Sequence, residues 1–353
     1  MTALKRRIKA LISAAGPMNV ADYMAMCLFD PEAGYYTTRD PFGSAGDFTT
    51  GPEISQMFGE LVAVWLYARW QEAGSPPDAV IAEIGPGRGT MMNDMARSFR
   101  RLDAGLCERS HFALIETSPR LVAVQRAALA GAGLSFSWHE SLDSLPDGPL
   151  FIVGNELFDA VPVRQFVKTA KGWRERVVGL NEAGELQFMH GPAGLDAALL
   201  PADAGAAAEG AVVEIAPART ALMENIAARI AVRGGVGLFI DYGYLEPAVG
   251  DTLQALRGHA FDAVLAHPGE ADITAHVDFH ALAAPAERLG LDTSVSTQAD
   301  FLLGHGLLER AGQLGAKMDE TGRETIRQAV ERLAGPDQMG DLFKVLAVRA
   351  FHG

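Results

Sequence analysis

The sequence predicts an α/β protein built on a doubly wound, mostly parallel sheet, and three observations carry that expectation. Short apolar runs that end in polar residues alternate with segments of helical period. The runs are continuously apolar, as for strands covered on both faces. The first of them, Val80–Glu83, leads through Ile84 into a glycine-rich turn, Gly85-Pro86-Gly87-Arg88-Gly89, and then into Thr90–Ala96, which suits a helix.

Along the chain, residues 1–75 read as a helical N-terminal cap or lid. Leu4, Ile8, Leu11 and Ile12 recur at helical spacing, and Val20–Phe29 is apolar and rich in methionine. A helix is expected from about Pro52 to Gln71, with Ile54, Phe58, Leu61, Trp65 and Leu66 on one face. Thr50 and Glu53 have capping-box spacing at its start. Residues 76–245 read as the sheet core. Its strands are expected at Val80–Glu83, Phe112–Ile115, Leu134–Trp138, Leu150–Val153 and Val236–Ile240, with helices at Pro119–Leu129 and Ala218–Val232. A β-hairpin around Ala170-Lys171-Gly172 interrupts the alternation, so an insertion is expected over about 161–190. The Ala-, Gly- and Asp-rich stretch from 190 to 210 reads as a surface loop. Residues 246–335 read as a mixed helical insertion or substrate region, suited equally to a dimer interface or a substrate clamp. Residues 336–353 supply a last strand, Leu342–Ala350, that completes the sheet.

Composition narrows the function. At 353 residues with 48% apolar side chains, the chain can build a large core. A formal net charge of −14 disfavours nucleic acid or anionic membrane as the main partner and suits a basic substrate. No apolar run reaches the ~18 residues of a membrane span. The basic N-terminus lacks the apolar core of a secretory signal. Cys27 and Cys107 show no metal-ligand spacing and read as plain thiols in a reducing compartment.

Ligands of such sheets gather at the carboxyl ends of the strands. Four predicted strands end there in polar residues. Glu83 with Gly85, Pro86, Gly87 and Gly89 follows the first, and Glu116 follows the second. Asn155, Glu156 and Asp159 follow the fourth, and Asp241 the fifth. The glycines let backbone approach a ligand, and the helix start offers free N–H groups. Glu116 can accept both hydroxyls of a ribose, while Thr117-Ser118-Pro119 after it is good helix-cap chemistry; both roles can hold. Glu140 and Ser141, after the third strand, would border an adenine. Glu156 and Asp159 could hold a guanidinium through planar carboxylates, or serve as cap and turn residues. Gly46–Ser55 reads equally as a capped loop or a lid. His276, Asp278 and His280 would share one face of a strand, but a helix-entry loop is the better reading and no metal is expected.

The glycine spacing is E-x-G-x-G-x-G. Thr90 stands where the dinucleotide fingerprint needs its last glycine, which argues against a nicotinamide-dependent dehydrogenase. This turn resembles the first motif of class I S-adenosylmethionine (SAM) methyltransferases. With it come L-I-E-T-S-P, G-N-E-L-F-D-A-V-P-V, F-I-D-Y-G-Y, D-I-T-A-H-V-D-F and, toward the N-terminus, G-D-F-T-T-G-P-E-I-S-Q-M-F-G-E. In that order they resemble the MidA-type SAM-dependent methyltransferases over nearly the whole chain. The resemblance implies a class I, Rossmann-like core with SAM as cofactor. Gly85, Gly87 and Gly89 would form the cofactor turn, Glu116 the ribose anchor and Glu156 the acceptor-side carboxylate. It also implies protein arginine methylation in assembly of respiratory complex I, with an arginine of a core subunit as acceptor. Eukaryotic relatives would act in the mitochondrial matrix, whereas this chain, without an obvious presequence, is expected in a bacterial cytoplasm. Two other readings stay open: a small-molecule methyltransferase, and a non-catalytic assembly chaperone that keeps SAM as a structural ligand.

Overall fold

Apolar strands that must be covered on both faces need helices on either side, and this requirement organises the larger part of the chain. A computed structural model describes residues 2–39 and 49–350. They fall into two units, the first made of 2–39, 158–221 and 246–278, the second of 49–157, 222–245 and 279–350.

The second unit contributes seven strands to its sheet: β1 (Val80–Ile84), β2 (His111–Ile115), β3 (Phe136–His139), β4 (Leu150–Asn155), β5 (Gly235–Tyr244), β6 (Asp292–Thr297) and β7 (Phe343–Arg349). The order is β3-β2-β1-β4-β5-β7-β6. Pairings β1–β2, β2–β3, β1–β4 and β4–β5 are parallel, whereas β7 runs antiparallel to both β5 and β6. Strand order reverses between β1 and β4, and there the carboxyl edge opens a ligand crevice. One face is covered by α1 (Gln56–Glu72) and α2 (Thr90–Leu102). Their Phe58, Leu61, Trp65, Met92, Met95 and Phe99 pack with Ile81, Leu114, Val153 and Leu238 in one buried cluster. Helix α3 (Pro119–Leu129) follows β2, with Ser118 Oγ accepting from Leu121 N as its N-cap.

The first unit is antiparallel. Arg164–Thr169 and Gly172–Leu180 form the expected hairpin, but as the centre of a five-stranded sheet that also takes Met18–Asn19, Leu186–Gly194 and Val212–Ile215. Strand therefore continues through Gly194, into the stretch expected as surface loop. Gln254–Arg257, Ala260–Asp262 and Asp272–Thr274 make a further three-stranded sheet. The N-terminal helix Ala3–Ala15 buries Leu4, Ile8 and Ile12 here, with Leu11 exposed on its other side.

Several boundaries differ from expectation for local reasons. The helix expected over Pro52–Gln71 is broken at Ser55, whose extended backbone separates Gly51–Ile54 from α1. Ser55 Oγ caps α1 by accepting from Met57 N, and Thr50 makes no side-chain cap bond, so the Thr50–Glu53 capping box does not form. Strand β6 gave no apolar signal because Asp292–Thr297 is largely polar; among the described residues it pairs with β7 alone. Asp241 does not follow its strand. It lies inside β5, fully buried, opposite Lys344 of β7. The described part of the motif Gly46–Ser55 begins at Thr49; Gly46–Phe48, and the lid expected of them, lie outside the described residues.

Candidate active site

The turn after β1 is shaped by its glycines. Gly85, Gly87 and Gly89 have φ of +64°, +52° and +81°, a region that side-chain-bearing residues avoid. A Cβ on Gly85 would also lie 2.9 Å from Leu157 Cδ1. The turn closes through Gly89 N to Pro86 O (2.8 Å), and Gly85 N donates to Ile115 O (3.1 Å). Pro86 is buried beneath it, while Gly85 is exposed at the edge.

Glu83 lies under this turn, in β1, and is only 3% exposed. Burial pushes its carboxyl up to about 8, with Asp94 adding to the rise and a hydrogen bond from Met92 N opposing it. Its Oε2 is buried with no hydrogen-bond partner among the described residues. Asp94 is raised to about 6, chiefly by burial, against the opposing pull of Arg97.

Glu116 ends β2 and is half-buried. Ser118 N donates to its Oε1 (2.8 Å) and Gln125 Nε2 to its Oε2 (3.1 Å), so both oxygens are oriented and both keep further acceptor capacity. Burial raises its pKa and these hydrogen bonds oppose the rise. Glu140 and Ser141 are exposed just past β3. Ser141 contributes its carbonyl to Ser144 Oγ (2.9 Å), leaving its hydroxyl outside that turn's bonding.

At the end of β4, Asn155 Nδ2 donates to Glu156 Oε1 (3.1 Å), and Asn155 Oδ1 is buried with no hydrogen-bond partner among the described residues. Glu156 has φ +49°, an uncommon conformation for a side-chain-bearing residue, and its N–H donates to Ile240 O (2.8 Å). Gly51 N donates to its Oε1 (3.3 Å), so this carboxylate performs the capping that Thr50 does not. The second unit thus gathers Glu83, the glycine turn, Glu116, Glu140, Ser141, Asn155 and Glu156 along one edge of its sheet.

Asp159 belongs to the first unit. It is 5% exposed, and its carbonyl accepts from Ala275 N (3.1 Å) and Arg219 Nη2 (3.1 Å). Arg219 also donates to Val161 O, Ala275 O and His276 O. Tyr36 donates to Asp272 Oδ1 (3.0 Å) in the same unit, and burial, with Asp272 and Asp159 nearby, holds that phenol well above its ordinary pKa. His276 follows the short strand Asp272–Thr274, whereas Asp278 lies on a two-residue strand, Val277–Asp278, that runs directly into the helix Phe279–Arg288, which also takes His280; a strand stands where a helix-entry loop was expected.

Two residues of this edge were not anticipated. Gln125, on α3, donates from Nε2 to Gly87 O (2.9 Å) as well as to Glu116, and Trp138 Nε1 donates to Gln125 Oε1 (3.0 Å). The signal was present: Leu121, Gln125 and Leu129 form the buried stripe of α3, and only one of them is polar.

The strand order, the single reversed strand and the glycine turn at the carboxyl edge define a class I methyltransferase fold. Residues 61–297 match the family described as S-adenosyl-L-methionine-dependent methyltransferases. The chain is 34% identical to "Protein arginine methyltransferase NDUFAF7, mitochondrial" of Danio rerio, over 97% of this chain and 86% of that protein. It is equally 34% identical to the Homo sapiens protein of the same name, over 99% and 83%. A crystal structure from Burkholderia thailandensis with bound S-adenosyl-homocysteine matches at TM-score 0.85 and 30% identity, covering 99% of this chain and 92% of that one. The chain belongs to this family of SAM-dependent methyltransferases, and SAM is its cofactor.

The residues present fit that cofactor. A positive-φ turn admits close approach, the oriented two-oxygen acceptor of Glu116 follows the second strand, and Glu83 and Asn155 each hold back one buried acceptor atom.

Proposed function

We propose that this protein is a protein arginine N-methyltransferase of a bacterial cytoplasm, and that its acceptor is an arginine of a respiratory complex I core subunit. The arginine is supported by the name of the relatives at 34% identity, and the complex I link by the motif resemblance. On this reading Gly85, Pro86, Gly87 and Gly89 cradle the methionine part of the cofactor, with Glu83 and Asn155 supplying acceptors for its ammonium group. Glu116 takes the ribose hydroxyls, and Glu140 and Ser141 flank the adenine. Bound SAM supplies an electrophilic methyl group on a sulfonium. Glu156 would accept charge-assisted hydrogen bonds from the guanidinium and orient one nitrogen for in-line displacement, the sulfonium leaving as a thioether and the N–H proton of the attacking nitrogen passing to Glu156 or to water. Its strained backbone is the observation that favours this role, because such conformations cluster where a side chain must be held for function.

The test is Glu156→Gln, assayed with purified chain, SAM and a recombinant complex I core subunit. Wild type should yield methylarginine by mass spectrometry. The variant should bind S-adenosyl-homocysteine as wild type does and transfer at least ~100-fold more slowly, the scale of losing one preorganised polar contact in a transition state. Full activity in the variant removes Glu156 from catalysis; methylation of small amines but no protein substrate removes the protein-substrate reading. Asp159→Asn tests the other acceptor-side carboxylate separately.

A further inference from the structure

We propose that Gln125 is a positioning residue that ties the glycine turn, the Glu116 carboxylate and Trp138 into one preset cofactor cradle. The inference rests on the SAM reading of this sheet edge.

Gln125 is fully buried, and a buried amide is costly unless its polar atoms are paired. Here they are paired in a way that admits one orientation only. An indole N–H can only donate, so the atom facing Trp138 Nε1 must be the amide oxygen. Gly87 O is acceptor-only, so the atom facing it, and with it Glu116 Oε2, must be the amide nitrogen. A flipped amide would set oxygen against oxygen and N–H against N–H.

The three partners come from three successive strand ends. Gly87 belongs to the turn after β1, Glu116 ends β2, and Trp138 lies on β3. A glutamine that only filled the core would need no such distribution. Its effect is geometric. Ser118 N grips one oxygen of Glu116 and Gln125 the other, which fixes the carboxylate plane. The same Nε2 holds the Gly87 carbonyl, which fixes the turn's peptide orientation. A site whose donors and acceptors are already set loses less on binding.

The experiment is a double-mutant cycle on the full chain, read by calorimetry with S-adenosyl-homocysteine. Gln125→Leu should weaken binding about tenfold in the wild-type background, as for loss of a hydrogen bond to a charged group. In a Glu116→Ala background the same change should cost at least threefold less, because the carboxylate it positions is gone. In turnover assays Gln125→Leu should raise KM for SAM and leave kcat within about twofold, the pattern of lost uniform binding. Equal losses in both backgrounds, or no loss in either, overturn the proposal. If Gln125→Leu fails to fold by circular dichroism, Trp138→Phe keeps the test open. It removes only the N–H that orients the amide, and unchanged S-adenosyl-homocysteine affinity in that variant overturns the proposal as well. Binding of neither SAM nor S-adenosyl-homocysteine by wild type sinks the cofactor reading itself, whereas wild-type binding with an unaffected Gln125→Leu sinks only this step.

Discussion

At the scale of single residues, burial changes the ordinary charge state of Glu83. Its carboxyl is raised from 4.5 to about 8 by burial, so the ligand-free protein holds it protonated at neutral pH. The sign follows from linkage. A group raised on folding stabilises fully below its unfolded pKa, and that stabilisation is lost as pH rises through the folded value. Asp94, raised to about 6, contributes in the same direction but over a lower window. Between pH 6 and 8 the stability of the ligand-free protein should therefore fall by up to ~1.4 kcal/mol per pH unit on account of Glu83. In Glu83→Gln that part of the slope should vanish, so the variant's stability relative to wild type rises with pH across this window. Urea titrations at pH 6, 7 and 8 measure it, and a pH-independent difference between the two proteins rejects the assignment. Binding of a cationic ammonium beside Glu83 would favour its charged form, so proton release on SAM binding is expected in the same interval.

At the scale of elements, the glycine turn and the helices against it are separable in effect. Gly87 has φ +52°, where a β-branched residue is strongly disfavoured. Gly87→Val should abolish measurable S-adenosyl-homocysteine binding while costing only about 1–2 kcal/mol of stability, the strain of one left-handed residue. Retained binding in calorimetry would show that the turn does not contact the cofactor. The helix pairing is held differently. Arg310, on the helix Leu307–Gly315, donates from Nε and Nη2 to the two oxygens of Glu60 on α1 (2.7 and 2.9 Å), and Glu60 is 6% exposed. Arg310→Leu removes both hydrogen bonds to this buried carboxylate, leaves it the longer ion pair to Arg97 (3.8 Å), and should cost about 3 kcal/mol, seen as a lowered urea midpoint at unchanged slope. Glu60→Gln with Arg310→Leu should recover part of that loss, because the buried charge that Arg310 had paired is then gone.

Elements also show what local sequence could specify. Helix α3 forms over Pro119–Leu129, because Ser118 caps it and Pro119 starts it whatever surrounds them. The α1 boundary was not legible. Thr50 and Glu53 have the spacing of a capping box, but the Gly51 N–H is taken by Glu156, over a hundred residues away. The long-range Glu156 contact orients the turn Gly51–Ile54, while α1 itself begins after the break at Ser55, whose own side chain caps it.

At the scale of the molecule, the central strand β5 explains two glycines that carry no turn. A Cβ on Gly237 would lie 2.7 Å from the Phe239 ring, and one on Gly154, its neighbour in β4, 3.3 Å from it. Phe239 is fully buried and fills the space these glycines leave. Phe239→Ala should cost about 3–5 kcal/mol and lower the thermal midpoint without altering SAM specificity. A loss below ~1 kcal/mol would mean that the neighbouring strands close over the space.

The second unit is assembled from three separate stretches, with the first unit's segments between them in sequence. The sequence by itself determined the parallel core, since unbroken apolar strands and a glycine turn have no other stable use. It also placed Glu116 and Glu156 at strand ends, whereas Asp241 falls inside β5 and Asp159 in the other unit. Only the tertiary structure decided the rest. Strand β6 is polar and exists because β7 offers it a pairing edge. The expected hairpin became the middle of a five-stranded sheet because strands from residues 18 and 212 pair onto it. Gln125 acquired its three partners only when three strand ends came together over one helix. Local propensity acts over a few residues, whereas pairing and burial act between residues far apart in the chain, so whatever depends on a distant partner appears only once the chain has folded.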